Sequence, residues 1–326
     1  RQAKVNDALD GMIYTPVADN NSAVTITVLA DDNGYALDGV QGTSATDSQD
    51  ITVSFTPVND APVLDDAADL ALTAITEDDT TNSGDTVAAI ISSDSGNSNP
   101  ITDVDSGASE GIAIFATSSG NGTWEYSTDS GSNFSTISVT TSAALLLTDA
   151  STNVIRFVPD GSNGESSNPT ISFYAWDQTT GSNDTTADVS GTLGGTTAFS
   201  TDSDTASITV TDVNDAPVAA AIALSLTAIT EDDTTSANTG DTVAAILASG
   251  SGTPISDVDT SDPTGIAIYA TSGNGTWEYS TDSGSSFNTL TVSTSLARLL
   301  LSSTTNRIRY VPDGDNGETS TPPSIE

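Results

Sequence analysis

Apolar and polar residues alternate along this chain in short runs: AVTITVLA (Ala23 to Ala30), DITVSFTPV (Asp50 to Val58), GIAIFAT (Gly111 to Thr117), VIRFVP (Val154 to Pro159), TISFYAW (Thr170 to Trp176) and ASITVTDV (Ala206 to Val213). Successive side chains of an extended strand point to opposite faces, so this period of two predicts strands with one face buried. The runs are rich in β-branched residues, and Gly, Asn, Asp, Ser or Pro bounds each of them, as tight turns require. No long segment has a helical period to compete with them. The pattern therefore predicts an all-β protein, antiparallel because crossover helices are missing. The longest apolar stretch, VAAAIALSL from Val218 to Leu226, is too short to span a bilayer.

The pattern also repeats. TAITEDDTT begins at Thr73 and Thr227, GDTVAAI at Gly84 and Gly240, and SGNGTWEYSTDSGS is identical from Ser119 and from Ser272. VIRFVPDGSNGE from Val154 matches RIRYVPDGDNGE from Arg307, and TPVNDAPV from Thr56 matches TDVNDAPV from Thr211. The offsets, 153 to 156 residues, are too long for a solenoid period and suit one domain. This places a partial domain in residues 1–60, a complete one in 61–215 and a further partial one in 216–326. Neither a leader nor an anchor is visible, and the boundaries suggest a window cut from a longer array. Strand exchange between copies is a second account of the open ends.

Composition narrows the chemistry. The 326 residues carry a formal net charge of −39, with six basic residues, no Cys and no His. Nucleic acid and anionic membranes both need a basic footprint, so neither is an expected partner. Without Cys or His there are no disulfides, thiol nucleophiles, zinc-thiolate sites or imidazole bases. Oxygen remains, on 45 Asp and Glu and many Ser, Thr and Asn.

Calcium takes six to eight oxygen ligands from carboxylates, amide and backbone carbonyls, and water. Asp103 and Asp105 in ITDVDS lie two apart, as do Asp257 and Asp259 in ISDVDT. On an extended chain each pair points to one side and can converge on one ion. Two like charges 4 Å apart repel by about 4 kcal/mol at an effective dielectric of 20, so convergent carboxylates splay unless a cation joins them. The plainer reading of any one aspartate is a turn former. Trp124 and Tyr126, repeated at Trp277 and Tyr279, share a strand face. They read as core residues of an aromatic-poor sandwich or as a platform for carbohydrate stacking. A carboxylate pair can hydrolyse glycosides without His or Cys, but nothing singles out two of the 45 acids, so no enzyme is expected.

VNDAPV closing a β-rich repeat, with an aromatic residue, Pro and NG ahead of an Ala-x-Asp strand, resembles the cadherin-like repeats of large bacterial surface adhesins and biofilm proteins. The resemblance implies tandem Greek-key β-sandwich domains, related to the cadherin and immunoglobulin architectures, with calcium at the joints between them. It implies one ligand cluster of Asn59, Asp60, Asp103, Asp105 and Asp177. A second would use Asp212, Asn214, Asp215, Asp257 and Asp259, and Glu77 would reach down to that following joint. Asp32 corresponds to Asp177, and Glu231 to Glu77. Pro57 stands where the later linker has Asp212, so the earlier joint should hold its ions less tightly. On this resemblance the chain is an extracellular, calcium-stiffened stalk or filament segment mediating cell adhesion or surface attachment. Its partners would be neighbouring repeats, other copies or surface glycans. Carbohydrate-binding repeats and a spacer in a secreted enzyme are the alternatives.

Overall fold

A computed structural model describes residues 10–20, 22–34, 40–233, 237–259, 262–315 and 321–326. The second NGE motif, Asn316 to Glu318, lies outside the described residues. The chain forms two compact units, Arg1–Thr211 and Asp212–Glu326. It is all-β, with two short helices among the described residues.

In the first unit β1 (Val24–Asp31) and β2 (Thr46–Val53) form an antiparallel hairpin, in register from Val24 opposite Val53 to Asp31 opposite Thr46. The following strands are β3 (Val63–Leu64), β4 (Leu70–Ala71), β5 (Ile75–Thr76), β6 (Asp85–Thr86), β7 (Ile101–Thr102), β8 (Gly111–Ser118), β9 (Thr123–Ser127) and β10 (Ser135–Thr136). After them come β11 (Ala144–Thr148), β12 (Val154–Val158), β13 (Thr170–Trp176), β14 (Thr185–Ala187), β15 (Phe199–Ser207) and β16 (Val210–Thr211). Strands β10-β9-β12-β6 form one sheet and β14-β11-β8-β13-β15-β4 another. The core joins Trp124 and Phe157 of the first to Ile112, Ile114 and Phe173 of the second.

Three features depart from the sequence pattern. First, β8 is not half-buried: Gly111 to Ile114 are all buried, because a second apolar cluster with Leu146, Trp176, Val189 and Phe199 covers the other face of the sheet. Second, the pairing is not wholly antiparallel. Ala206 and Ser207 of β15 pair in parallel with Leu70 and Ala71, and Val210 and Thr211 with Ile75 and Thr76. No crossover helix is needed, because most of the unit lies between the paired strands. Third, GDTVAAI contains a short helix, α1 (Val87–Ile91), capped by the Thr86 hydroxyl, which accepts the Ala89 N–H at 3.1 Å. The glycine opening this motif is obligatory: Gly84 has φ +69°, and a Cβ there would lie 2.4 Å from the Ile155 carbonyl oxygen.

The second unit contains β17 (Val218–Ala219), β18 (Asp241–Thr242), α2 (Val243–Ala248), β19 (Ile255–Ser256), β20 (Gly265–Ile268), β21 (Thr276–Ser280), β22 (Asn288–Thr289), β23 (Arg298–Leu301) and β24 (Arg307–Val311). Sheet β18-β24-β21-β22 reproduces β6-β12-β9-β10, and the Thr242 hydroxyl caps α2 through Ala245 N–H. An ion pair across adjacent strands is copied too. Arg156 bonds Glu125 at 2.7 Å and lies over Phe134; Arg309 bonds Glu278 at 2.6 Å and lies over Phe287. Matching sequence here yields matching local structure.

Candidate metal centres at the linker aspartates

The antiparallel pairing of β3 with β7 puts the segment before one strand beside the segment after the other. The Asp60 main chain thereby meets Asp105. The Asp60 N–H donates to Asp105 Oδ2 at 2.8 Å, and the Asp105 N–H donates to Asp103 Oδ1 at 2.8 Å. Asp103 and Asp105 converge through this bend, not by extension, because the strand has already ended at Thr102.

Asp177 joins from the end of β13. It is 4% exposed, and its Oδ2 accepts the Asn59 side-chain N–H at 2.8 Å. Its Oδ1 accepts the N–H and hydroxyl of Thr179, at 2.8 and 2.6 Å. Asn59 also donates to the Thr197 carbonyl at 3.1 Å. The hydrogen bonds thus form two sets, Asn59 with Asp177, and the Asp60 main chain with Asp105 and Asp103. Burial pushes the Asp103 carboxyl above its ordinary value, and the nearby Asp105, Asp177 and Asp60 add to the shift against the Asp105 N–H. Asp103 Oδ2 is buried without a hydrogen-bond partner.

The second linker repeats this connectivity inside the second unit. The Asp215 N–H donates to Asp259 Oδ2 at 2.6 Å, and the Asp259 N–H donates to Asp257 Oδ1 at 3.2 Å. The β17–β19 pairing plays the part of β3–β7. Asp259 is 5% exposed, with Oδ1 buried and unpartnered. Asn214 differs from Asn59: its side-chain N–H turns to the Asp215 carbonyl at 2.8 Å. Asp212 is exposed.

Glu77 is fully buried beside the last residue of the first unit, where its N–H donates to the Thr211 carbonyl at 3.2 Å. Its repeat mate Glu231 is exposed. The β5–β16 pairing fixes the first, and Ile229 to Glu231 form no strand among the described residues. Asp32 has a turn role, accepting the N–H of Gly34 at 2.8 Å and of Ala45 at 2.9 Å.

Glu110 was not legible as part of this site. It lines a small cavity of about 270 Å³ with Asp103 and Asp105, and burial, then Asp149, pushes its carboxyl up. Its repeat counterpart is Thr264, so internal comparison carries no signal for it. Among the described residues, no three acidic side chains stand ready as they are to hold a metal ion. Asp105 and Asp259 each hold a linker N–H group instead.

Trp124 is 1% exposed and Trp277 6% exposed. The Trp124 indole N–H donates to the Ser118 carbonyl at 3.0 Å, and its ring meets Phe157 edge-on at 5.2 Å. Both indoles are core, and neither offers a face for stacking a sugar. No helix among the described residues is long and apolar enough to cross a membrane. Comparison with protein-family models, curated proteins and solved structures found no match.

Proposed function

We propose that this chain is a segment of an extracellular stalk or filament built from cadherin-like repeats. Calcium bound at the linker clusters stiffens the stalk, which serves cell adhesion or surface attachment and carries no catalytic site. One observation carries the reading. Two linkers that share VNDAPV tie a main-chain N–H to the second aspartate of a DxD pair, whose own N–H reaches the first aspartate. Each cluster retains a buried carboxylate oxygen with no donor, on Asp103 and on Asp259. A hard divalent cation suits such oxygens, and a chain of net charge −39 gains further by neutralisation. Asn59, Asp60, Asp103, Asp105 and Asp177 would hold one site; Asp212, Asn214, Asp215, Asp257 and Asp259 would hold the other.

Calcium titration of the whole chain tests it, with EGTA as the control. Binding to the folded state alone stabilises by about 2.7 kcal/mol at 100 times Kd. Melting temperature should rise with calcium, and Asp105→Asn with Asp259→Asn should remove most of the rise. A melting curve indifferent to both calcium and EGTA would sink the proposal.

A further inference from the structure

A second carboxylate site lies elsewhere in the first unit. Asp204 sits on the inner face of β15, on the side that also carries Ala206, and faces Phe173 in the β13 register. It is 8% exposed. Its Oδ1 accepts the Thr205 N–H at 2.6 Å, while its Oδ2 is buried with no hydrogen-bond partner. Two residues further on, Ala206 pairs in parallel with Leu70. Asp204 therefore stands level with the turn that leads into β4.

That turn reads Asp65-Asp66-Ala67-Ala68-Asp69. Its three acids are exposed, and the side chains of Asp66 and Asp69 can rotate toward Asp204 without disturbing the core. The turn itself is anchored: Asp65 accepts the Asn97 side-chain N–H at 2.8 Å and the Ala67 N–H at 3.2 Å, and its own N–H donates to the Pro100 carbonyl at 2.8 Å. Among the described residues no protein cation is placed beside it. Among the described residues of this unit the one basic side chain is Arg156, which is bound to Glu125. Burial pushes the Asp204 carboxyl above its ordinary value, and Asp66, Asp65 and Asp69 add to the shift against the Thr205 N–H.

The acids are peculiar to this repeat. Aligning TDSQDITVSFT from Thr46 with TDSDTASITVT from Thr201 sets Gln49 opposite Asp204. The second copy of the turn, within VAAAIALSL, contains no acid at all. A buried strand carboxylate thus stands level with a turn carrying three acids, where the compared repeat segments carry neutral residues. We infer that Asp204 and the Asp65–Asp69 turn bind a hard divalent cation of the calcium class, which fastens the inner face of β15 to the entry of β4. This site uses none of the linker residues and does not depend on the linker clusters holding metal.

The test uses the full chain, calcium alone as the probe, and Asp204→Asn, which keeps an acceptor for the Thr205 N–H. Calorimetric titration should count one bound calcium fewer per chain in the variant. Thermal unfolding at neutral pH should reverse sign: the variant melts above the parent in EGTA, where a buried charge has been removed, and below it in saturating calcium. Asp66→Asn with Asp69→Asn lies on the surface, so folding is not at stake, and it should lose the same ion. Adding Asp105→Asn and Asp259→Asn to the parent should leave this ion bound, which separates the site from the joints. An unchanged count in both sets of variants, or an Asp204→Asn chain more stable in EGTA and calcium alike, would overturn the inference and leave Asp204 a buried carboxylic acid.

Discussion

Replacing Trp124 separates a core indole from a binding-surface indole by magnitude alone. Trp124 is 1% exposed, meets Phe157 at 5.2 Å between ring centroids and donates to Ser118. Truncating a buried tryptophan to alanine costs about 3–5 kcal/mol, of which the edge-on ring pair contributes roughly 0.5–1.5. Trp124→Phe keeps most of the ring contact but strips the donor from the Ser118 carbonyl and leaves a smaller void, for a loss of about 1–3 kcal/mol. In a domain of this size, 1 kcal/mol moves Tm by about 2–4 °C. Alanine should therefore lower the first unit's Tm by roughly 6–20 °C and phenylalanine by roughly 2–12 °C. The chain has three tryptophans. Trp176 therefore reports unfolding of the first unit and Trp277 that of the second. The second transition should stay where it is when Trp124 is changed. A Trp124→Ala chain that melts within about 1 °C of the parent, well inside the shift expected for a core residue, while losing affinity on a glycan array would refute the core assignment.

Three further outcomes can be checked. Pro57→Asp gives the first linker the acid that Asp212 supplies to the second, so calcium affinity at the first joint should rise severalfold by calorimetry, and Asp212→Pro should lower it at the second. Asp129 and Asp282 are held at about 2, chiefly by hydrogen bonds from Asn133 and Ser286, with the hydroxyls of Ser127 and Ser280 also contributing. A folded value below the ordinary 3.8 adds stability that is full above 3.8 and lost as pH falls through about 2. Asp129→Asn should therefore flatten that acid limb in a pH series of denaturant midpoints. Gly84→Ala should cost at least about 2 kcal/mol in urea unfolding, from left-handed backbone and the clash with the Ile155 carbonyl.

The strands were legible because their alternation is local. Thr170–Trp176 and Val154–Val158 lie almost where the pattern puts them. Alternation alone misplaces the last strand, where Ala206 to Val213 divides into the ends of β15 and β16, with Ile208 and Thr209 between them. The DxD pairs and linker acids were legible because the chain prints them twice. Glu110 and Asp204 were not, since each is singular among the repeats and becomes chemically distinctive only through burial.

What the sequence determined by itself is what spacing and steric preference dictate: the all-β class, the repeats, the turns and the acids that precede or follow particular strands. Tertiary structure decided which of these polar side chains meet. Asn59 and Asp177 are 118 residues apart, and only the completed sheet brings their side chains to 2.8 Å. It likewise decided that β8 is covered on both faces, that β4 and β5 run parallel to β15 and β16, and that one oxygen of Asp204 faces inward without a donor. Chain spacing sets local geometry, but solvent exclusion and the sum of neighbouring charges are properties of the assembled core.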